Sequence, residues 1–181
     1  MLLRELLAAA QVNRRVEELA TQLSVDYCDK APVVIGILNG AAPFMMDLLR
    51  LLPPDLAAHL QYDFVDATSY TGTASTGRVQ LTRKLSVDIT SRPVLIVDGI
   101  VDSGRTLDAV LHLLRELHPS EIRTCTLLDK PVRRQFDVAI DYRGFEIEDL
   151  FVVGYGMDLD GAFRGLRHIA VVEPSADEDT Q

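Results

Sequence analysis

The apolar positions of the chain fall into two periods. Over residues 2–24, Leu2, Leu3, Leu6, Ala10, Val16, Leu19, Ala20 and Leu23 recur at intervals of three and four, which predicts one or two amphipathic helices. Residues 33–38 then run VVIGIL without a polar break and are closed by Asn39-Gly40. That is the pattern of a strand buried on both faces, as in a parallel sheet. A helix over about 44–52 follows and is stopped by Pro53-Pro54. Residues 60–68 read as a strand and 79–82 as its hairpin partner. The intervening TGTASTG, 71–77, consists of small residues that cannot pack a core, and it predicts a mobile loop.

The second half alternates more regularly. Strands are predicted at 94–97, 122–128, 138–142 and 151–153, with 168–172 closing the set. The helix at 105–118 carries Leu107, Val110, Leu111 and Leu114 on one face. Strands alternating with helices imply right-handed crossovers and an open, mainly parallel α/β sheet flanked by helices on both faces. No repeat or linker divides the chain, so 1–174 reads as one domain and the acidic 175–181 as a disordered tail.

Composition narrows the function classes. Of 181 residues, 48% are hydrophobic and 25% charged, a globular balance in a chain long enough to build a core without disulfides or a structural metal. No apolar run approaches the ~20 residues that span a bilayer, and Arg4 and Glu5 interrupt any signal peptide. A soluble, cytoplasmic protein with no membrane partner is expected. Eighteen cations against 27 anions leave a net charge of −9, which repels a nucleic-acid backbone. An anionic ligand must therefore be held locally, by backbone amides, an arginine or two, or a divalent metal. Cys28 and Cys125 lack CxxC spacing and read as small buried apolar residues. The four histidines are scattered without ligand spacing.

Ligands of such a sheet gather at the carboxyl ends of its strands, so the residues after VLIV matter most. Asp102 to Thr106 form a small glycine-containing turn with two hydroxyls at a helix N-terminus, suited to a phosphate dianion. Asp98 and Asp102 place carboxylates at its lip, suited to ribose hydroxyls, a Mg2+ ion or proton abstraction. The bare turn is equally compatible with a plain strand-to-helix connection. A Walker A loop and a Rossmann fingerprint are both absent.

VLIVDGIVDSGRTL, 94–107, resembles the phosphoribosyl pyrophosphate (PRPP) signature of type I phosphoribosyltransferases. Further segments resemble the hypoxanthine-guanine branch: ILNGAAPF at 37–44, Ser69-Tyr70, LLDKP at 127–131, DLFVVGYGMD at 149–158 and FRGL at 163–166. The resemblance runs from about residue 12 to 172. It implies the type I fold, with a small hood built from chain-terminal segments, a flexible active-site loop, and a homodimer or homotetramer. It further implies transfer of the 5-phosphoribosyl group from PRPP to hypoxanthine or guanine, with Mg2+ as cofactor. In that reading Ser103, Gly104, Arg105 and Thr106, with Asp102, hold the 5′-phosphate, and Asp102 is also the acid/base at purine N7. Lys130 donates to O6, Phe151 stacks on the base, and Ile100 and the Val152 backbone flank it. Asp98 and Asp158 serve the metal and Arg164 the pyrophosphate. A cis Leu38–Asn39 bond turns the amides of Asn39 and Gly40 toward pyrophosphate, and Ser69 and Tyr70 open the flexible loop. Arg133 and Arg134 read as a solvated charge pair, although the family places a basic residue near there for pyrophosphate.

One departure stands out. The family has two adjacent acids after VLIV, and here the second is Gly99. Losing one charged hydrogen bond costs ~1.5–3 kcal/mol, roughly 10- to 150-fold in PRPP affinity. On this reasoning Gly99→Asp is expected to lower the KM for PRPP. Gly99 is also the feature that favours the alternative, a PRPP- or nucleotide-sensing regulator with weak catalysis. A transferase preferring xanthine or another oxopurine is a third reading.

Overall fold

The computed structural model describes residues 1–69, 79–81 and 85–174, with backbone alone at 67–69 and 79–81. The expected loop at 71–77, Tyr70 and the tail at 175–181 lie outside the described residues. In chain order the elements are β1 (Leu2–Leu7), α1 (Ala9–Asp26), β2 (Val33–Leu38), α2 (Ala42–Arg50), α3 (Pro54–His59), β3 (Gln61–Ser69), β4 (Val79–Leu81), β5 (Pro93–Val101), α4 (Arg105–Arg115), β6 (Glu121–Asp129), β7 (Tyr142–Glu146), β8 (Val152–Val153) and β9 (Ile169–Glu173).

The main sheet has the order β4-β3-β2-β5-β6-β7. Five strands are parallel and β4 is an antiparallel edge. Alternate residues of each strand face opposite layers. Val34, Leu95, Val97, Cys125 and Leu127 pack with α1 and α2. Val33, Ile35, Ile37, Val94 and Ile96 pack with α4. This two-faced burial explains why VVIGIL and VLIV carry no polar position. Gly36 is fixed by the same packing, because a Cβ there would lie 2.8 Å from both Met45 Sδ and the Phe64 ring.

A second sheet, β1-β9-β8, forms the hood. Leu2 pairs with Glu173 and Leu7 with Ile169, so the two ends of the described chain share one ladder. Here the sequence reading needs correction: 2–7 is a strand, not helix. Its leucine spacing fits a helix, but β9 has an open edge that β1 completes, and such pairing overrides a weak local preference. The helix starts only at Ala9, where the Gln11 side chain accepts from the Ala8 amide at 2.9 Å. Three smaller differences follow from local context. Pro54 stops α2 but also opens α3, since proline suits a first helical turn. The strand expected at 138–142 lies at Tyr142–Glu146, while Asp141 accepts from the Thr124 amide instead of continuing a ladder. Cys28 is exposed, whereas Cys125 is buried as expected.

Candidate active site

Three strand ends and the hood enclose one cavity of about 370 Å³. β2 contributes Leu38 and Gly40, and the Leu38–Asn39 peptide bond is cis, as the resemblance implies. β5 contributes Asp98 and Ile100, and the turn after it Asp102 and Thr106. β6 delivers Lys130, and the hood delivers Phe151, Val152, Asp158 and Arg164. A small adjoining recess of about 80 Å³ is lined by Asp102, Ser103, Gly104, Arg105 and Thr106. Gly104 caps α4 at φ +85, a left-handed turn that glycine adopts without a Cβ penalty. The structure thus gathers nearly all the expected residues around one space. Asn39 is exposed beside it, and the side chain of Ser69 is not described.

The far wall has a definite chemical character. Lys130 is only 6% exposed, and no carboxylate among the described residues lies within salt-bridge distance of its ammonium. Its backbone is fixed, with the amide donating to Val101 O at 2.9 Å. A nearly buried, unpaired cation is costly, and here it borders open cavity. Phe151, in contrast, is 54% exposed. An exposed aromatic face, apolar flanks from Ile100 and Val152, and one convergent cation make a slot for a flat ring bearing an acceptor oxygen.

The comparisons agree with this geometry. Residues 3–160 match the phosphoribosyl transferase domain family. The chain belongs to that family. It is 38% identical over 174 residues to the hypoxanthine-guanine phosphoribosyltransferase of Bacillus subtilis, covering 96% of this chain and 94% of that one. It is 38% identical over 165 residues to the hypoxanthine-guanine-xanthine phosphoribosyltransferase of Tritrichomonas foetus, covering 91% and 88%. Among solved structures, a hypoxanthine-guanine phosphoribosyltransferase of Bacillus anthracis superposes with a TM-score of 0.86 at 38% identity, covering 94% of this chain and 98% of that one. The expected type I fold and the expected hypoxanthine-guanine branch are both borne out.

The site of this phosphoribosyltransferase differs from the sequence reading in three respects. First, Gly99 has a packing reason. A Cβ there would lie 2.7 Å from Gly40 O and 2.9 Å from Gly40 C. Gly156, at φ +103, closes on the same carbonyl, where a Cβ would lie at 2.0 Å. The loop after β2 is therefore clamped between two glycine α-carbons. A side chain at 99 would require this loop to shift, which opposes the expectation that Gly99→Asp lowers the KM for PRPP. Second, Arg133 and Arg134 are not a solvated pair. Arg133 Nε stands 3.2 Å from Asp102 and its Nη1 3.3 Å from Asp149. Arg134 holds the buried carboxylate of Asp129, which also meets Arg143 at 2.8 Å. Third, the Arg105 guanidinium lies over the Phe136 ring at 5.5 Å, so Arg105 offers the recess its backbone more than its charge.

Asp158 and Arg164 pair at 2.6 Å, and the second Asp158 oxygen accepts from the Gly161 amide at 2.8 Å. Arg164 also donates to Gly156 O at 2.5 Å. Burial pushes the Asp98 carboxyl up to about 7, against the lowering influence of the nearby Ile100 and Gly99 amides. No cluster of three or more metal-ligating side chains occurs among the described residues. Carboxylates on two walls of one cavity nevertheless fit Mg2+, which takes one or two protein oxygens and completes its shell with water and substrate phosphate. Sequence reasoning missed Asp129, the Asp102–Arg133–Asp149 bridge and the Gly40 clamp. Each depends on a turn at 130–136 or a loop contact that carries no periodic signal.

Proposed function

We propose that this phosphoribosyltransferase moves the 5-phosphoribosyl group of PRPP to hypoxanthine or guanine, giving IMP or GMP and pyrophosphate. The unpaired, nearly buried ammonium of Lys130 beside exposed Phe151 carries this reading. It demands an acceptor on a flat ring, which a 6-oxopurine has and adenine, with a donor amino group at C6, lacks. The recess at Ser103, Gly104, Arg105 and Thr106 takes the 5′-phosphate, aided by the N-terminus of α4. Asp102, between the recess and the base slot, takes the N7 proton as N9 bonds to C1. Its carboxylate also offsets the positive charge of the oxocarbenium-like transition state. Asp98 orients the ribose and, with Asp158, supplies the oxygens for Mg2+. When bound, the ion neutralises charge on departing pyrophosphate. Arg164 faces the same leaving group, with the amides of Asn39 and Gly40. The sensor alternative rests on Gly99, and the close approach of Gly40 O to that glycine gives it a packing role that requires no loss of catalysis.

Purified protein with PRPP and Mg2+, assayed against hypoxanthine, guanine, xanthine, adenine and uracil, tests the proposal. Nucleotide from 6-oxopurines and none from adenine or uracil is expected. Folded protein yielding no nucleotide from any base would refute it.

A further inference from the structure

Arg134 sits at the junction of the two ends of the cavity. At the base end, Asp129 is the last residue of β6 and directly precedes Lys130. It is 1% exposed, and Arg134 and Arg143 are its ion partners. Its backbone is equally held: Ile147 N donates to Asp129 O at 2.9 Å. At the phosphate end, the stem of Arg134 lies against Gly104, where an added Cβ would be 3.0 Å from Arg134 Cδ. The two residues after Arg134 grip the same turn, the amides of Gln135 and Phe136 donating to Ser103 O at 2.9 and 3.1 Å. One side chain thus packs on the phosphate turn while its guanidinium is locked to the residue that carries Lys130.

We propose that Arg134 is a positioning residue, a strut that sets the span between the phosphate recess and the Lys130 ammonium. The inference rests on the phosphoribosyl-transfer reading above. The contact of Arg134 Nη2 with the buried Asp129 carboxylate and the packing of the Arg134 stem on Gly104 tie the two ends together before any ligand arrives. Loss of the strut should then weaken a ligand that touches both ends more than one that touches a single end, because only the former needs the two subsites in register.

Calorimetric titration with GMP, guanosine and ribose 5-phosphate reads this directly. For Arg134→Met, which keeps the stem and removes the guanidinium, the Kd for GMP should rise about tenfold, within the range of couplings between groups of one network. The Kd values for guanosine and ribose 5-phosphate should each change by less than about threefold. Arg134→Lys should recover part of the GMP loss. If Arg134→Met does not melt cooperatively, the charge-neutral pair Asp129→Asn with Arg134→Met replaces it, with the same selective loss expected. GMP binding unchanged within about twofold, or equal losses for all three ligands, would overturn the strut and leave the transferase reading intact. A wild-type chain that binds no GMP would overturn both.

Discussion

Substitution at Gly99 separates two opposed arguments about one atom. Chemical reasoning favours an acid here, since a charged hydrogen bond to a ribose hydroxyl is worth ~1.5–3 kcal/mol. Packing opposes it. The first side-chain atom of any other residue would stand 2.7 Å from Gly40 O, 2.9 Å from Gly40 C and 3.4 Å from Ala41 N. All three are backbone atoms, so no rotamer change relieves the contact. Gly156 approaches the same carbonyl, where a Cβ would lie 2.0 Å away. Overpacking of this kind costs about 1–3 kcal/mol. In a chain of this length that is a fall in Tm of about 2–12 °C, at 2–4 °C per kcal/mol. The displaced loop carries the Asn39 and Gly40 amides assigned to pyrophosphate, so binding should suffer as well. Gly99→Ala, which adds the Cβ without the carboxylate, should lower Tm by that amount and raise the KM for PRPP about 3- to 10-fold. Gly99→Asp should do no better than Gly99→Ala. Melting curves and initial rates at varied PRPP decide it. An Ala variant with unchanged Tm and KM, or an Asp variant with lower KM than wild type, would show that the loop yields freely and would refute the steric argument.

Three other outcomes are expected. Lys130→Met should cut kcat/KM for hypoxanthine by about 10- to 150-fold, the worth of a charged hydrogen bond, while raising Tm because a buried unpaired cation is removed; a loss below about threefold in initial rates would contradict the O6 assignment. Asp98 has a carboxyl raised from 3.8 to about 7, so the native state holds its proton more tightly than the unfolded chain, and stability falls as pH rises from about 4 through 7. Asp98→Asn should therefore melt above wild type at pH 8, by about 1–2 kcal/mol against an upper bound of about 4, and equal it at pH 4.5; melting at the two pH values checks this. Cys28 is exposed, whereas burial pushes the Cys125 thiol far up, so Ellman's reagent should titrate one thiol per native chain and two in denaturant.

The sequence was informative where burial is symmetric and local. β2 and β5 are apolar on both faces, and the turn at 98–106 announces itself by its hydroxyls, glycines and carboxylates. These supplied the sheet and the turn that lines the recess at 102–106 from residues alone. Asymmetric or long-range features were hidden. The helical spacing of Leu2, Leu3 and Leu6 conceals a strand, because the pairing with β9 lies at the other end of the chain. β7 was misplaced by a few residues because Asp141 is spent on Thr124. Arg133 and Arg134 looked alike on the page, yet a single step along the chain sends one to Asp102 and the other to Asp129. Gly99 reads as a missing acid, and the sequence does not show how closely the Gly40 backbone approaches it.

The hood has a consequence for how this enzyme comes into being. β9 joins β8 and β1 in one ladder, and the loop between β8 and β9 carries Asp158 and Arg164. During synthesis the parallel core can assemble once β7 has emerged, since its strands and covering helices all lie before residue 147. The base slot must wait for residues 169–173, which follow every strand of the parallel core. A nascent chain stalled before that point would hold a finished recess at 102–106 and no hood wall opposite it. A completed β1 would stand idle until its partner arrives, an exposed edge inviting the wrong neighbour.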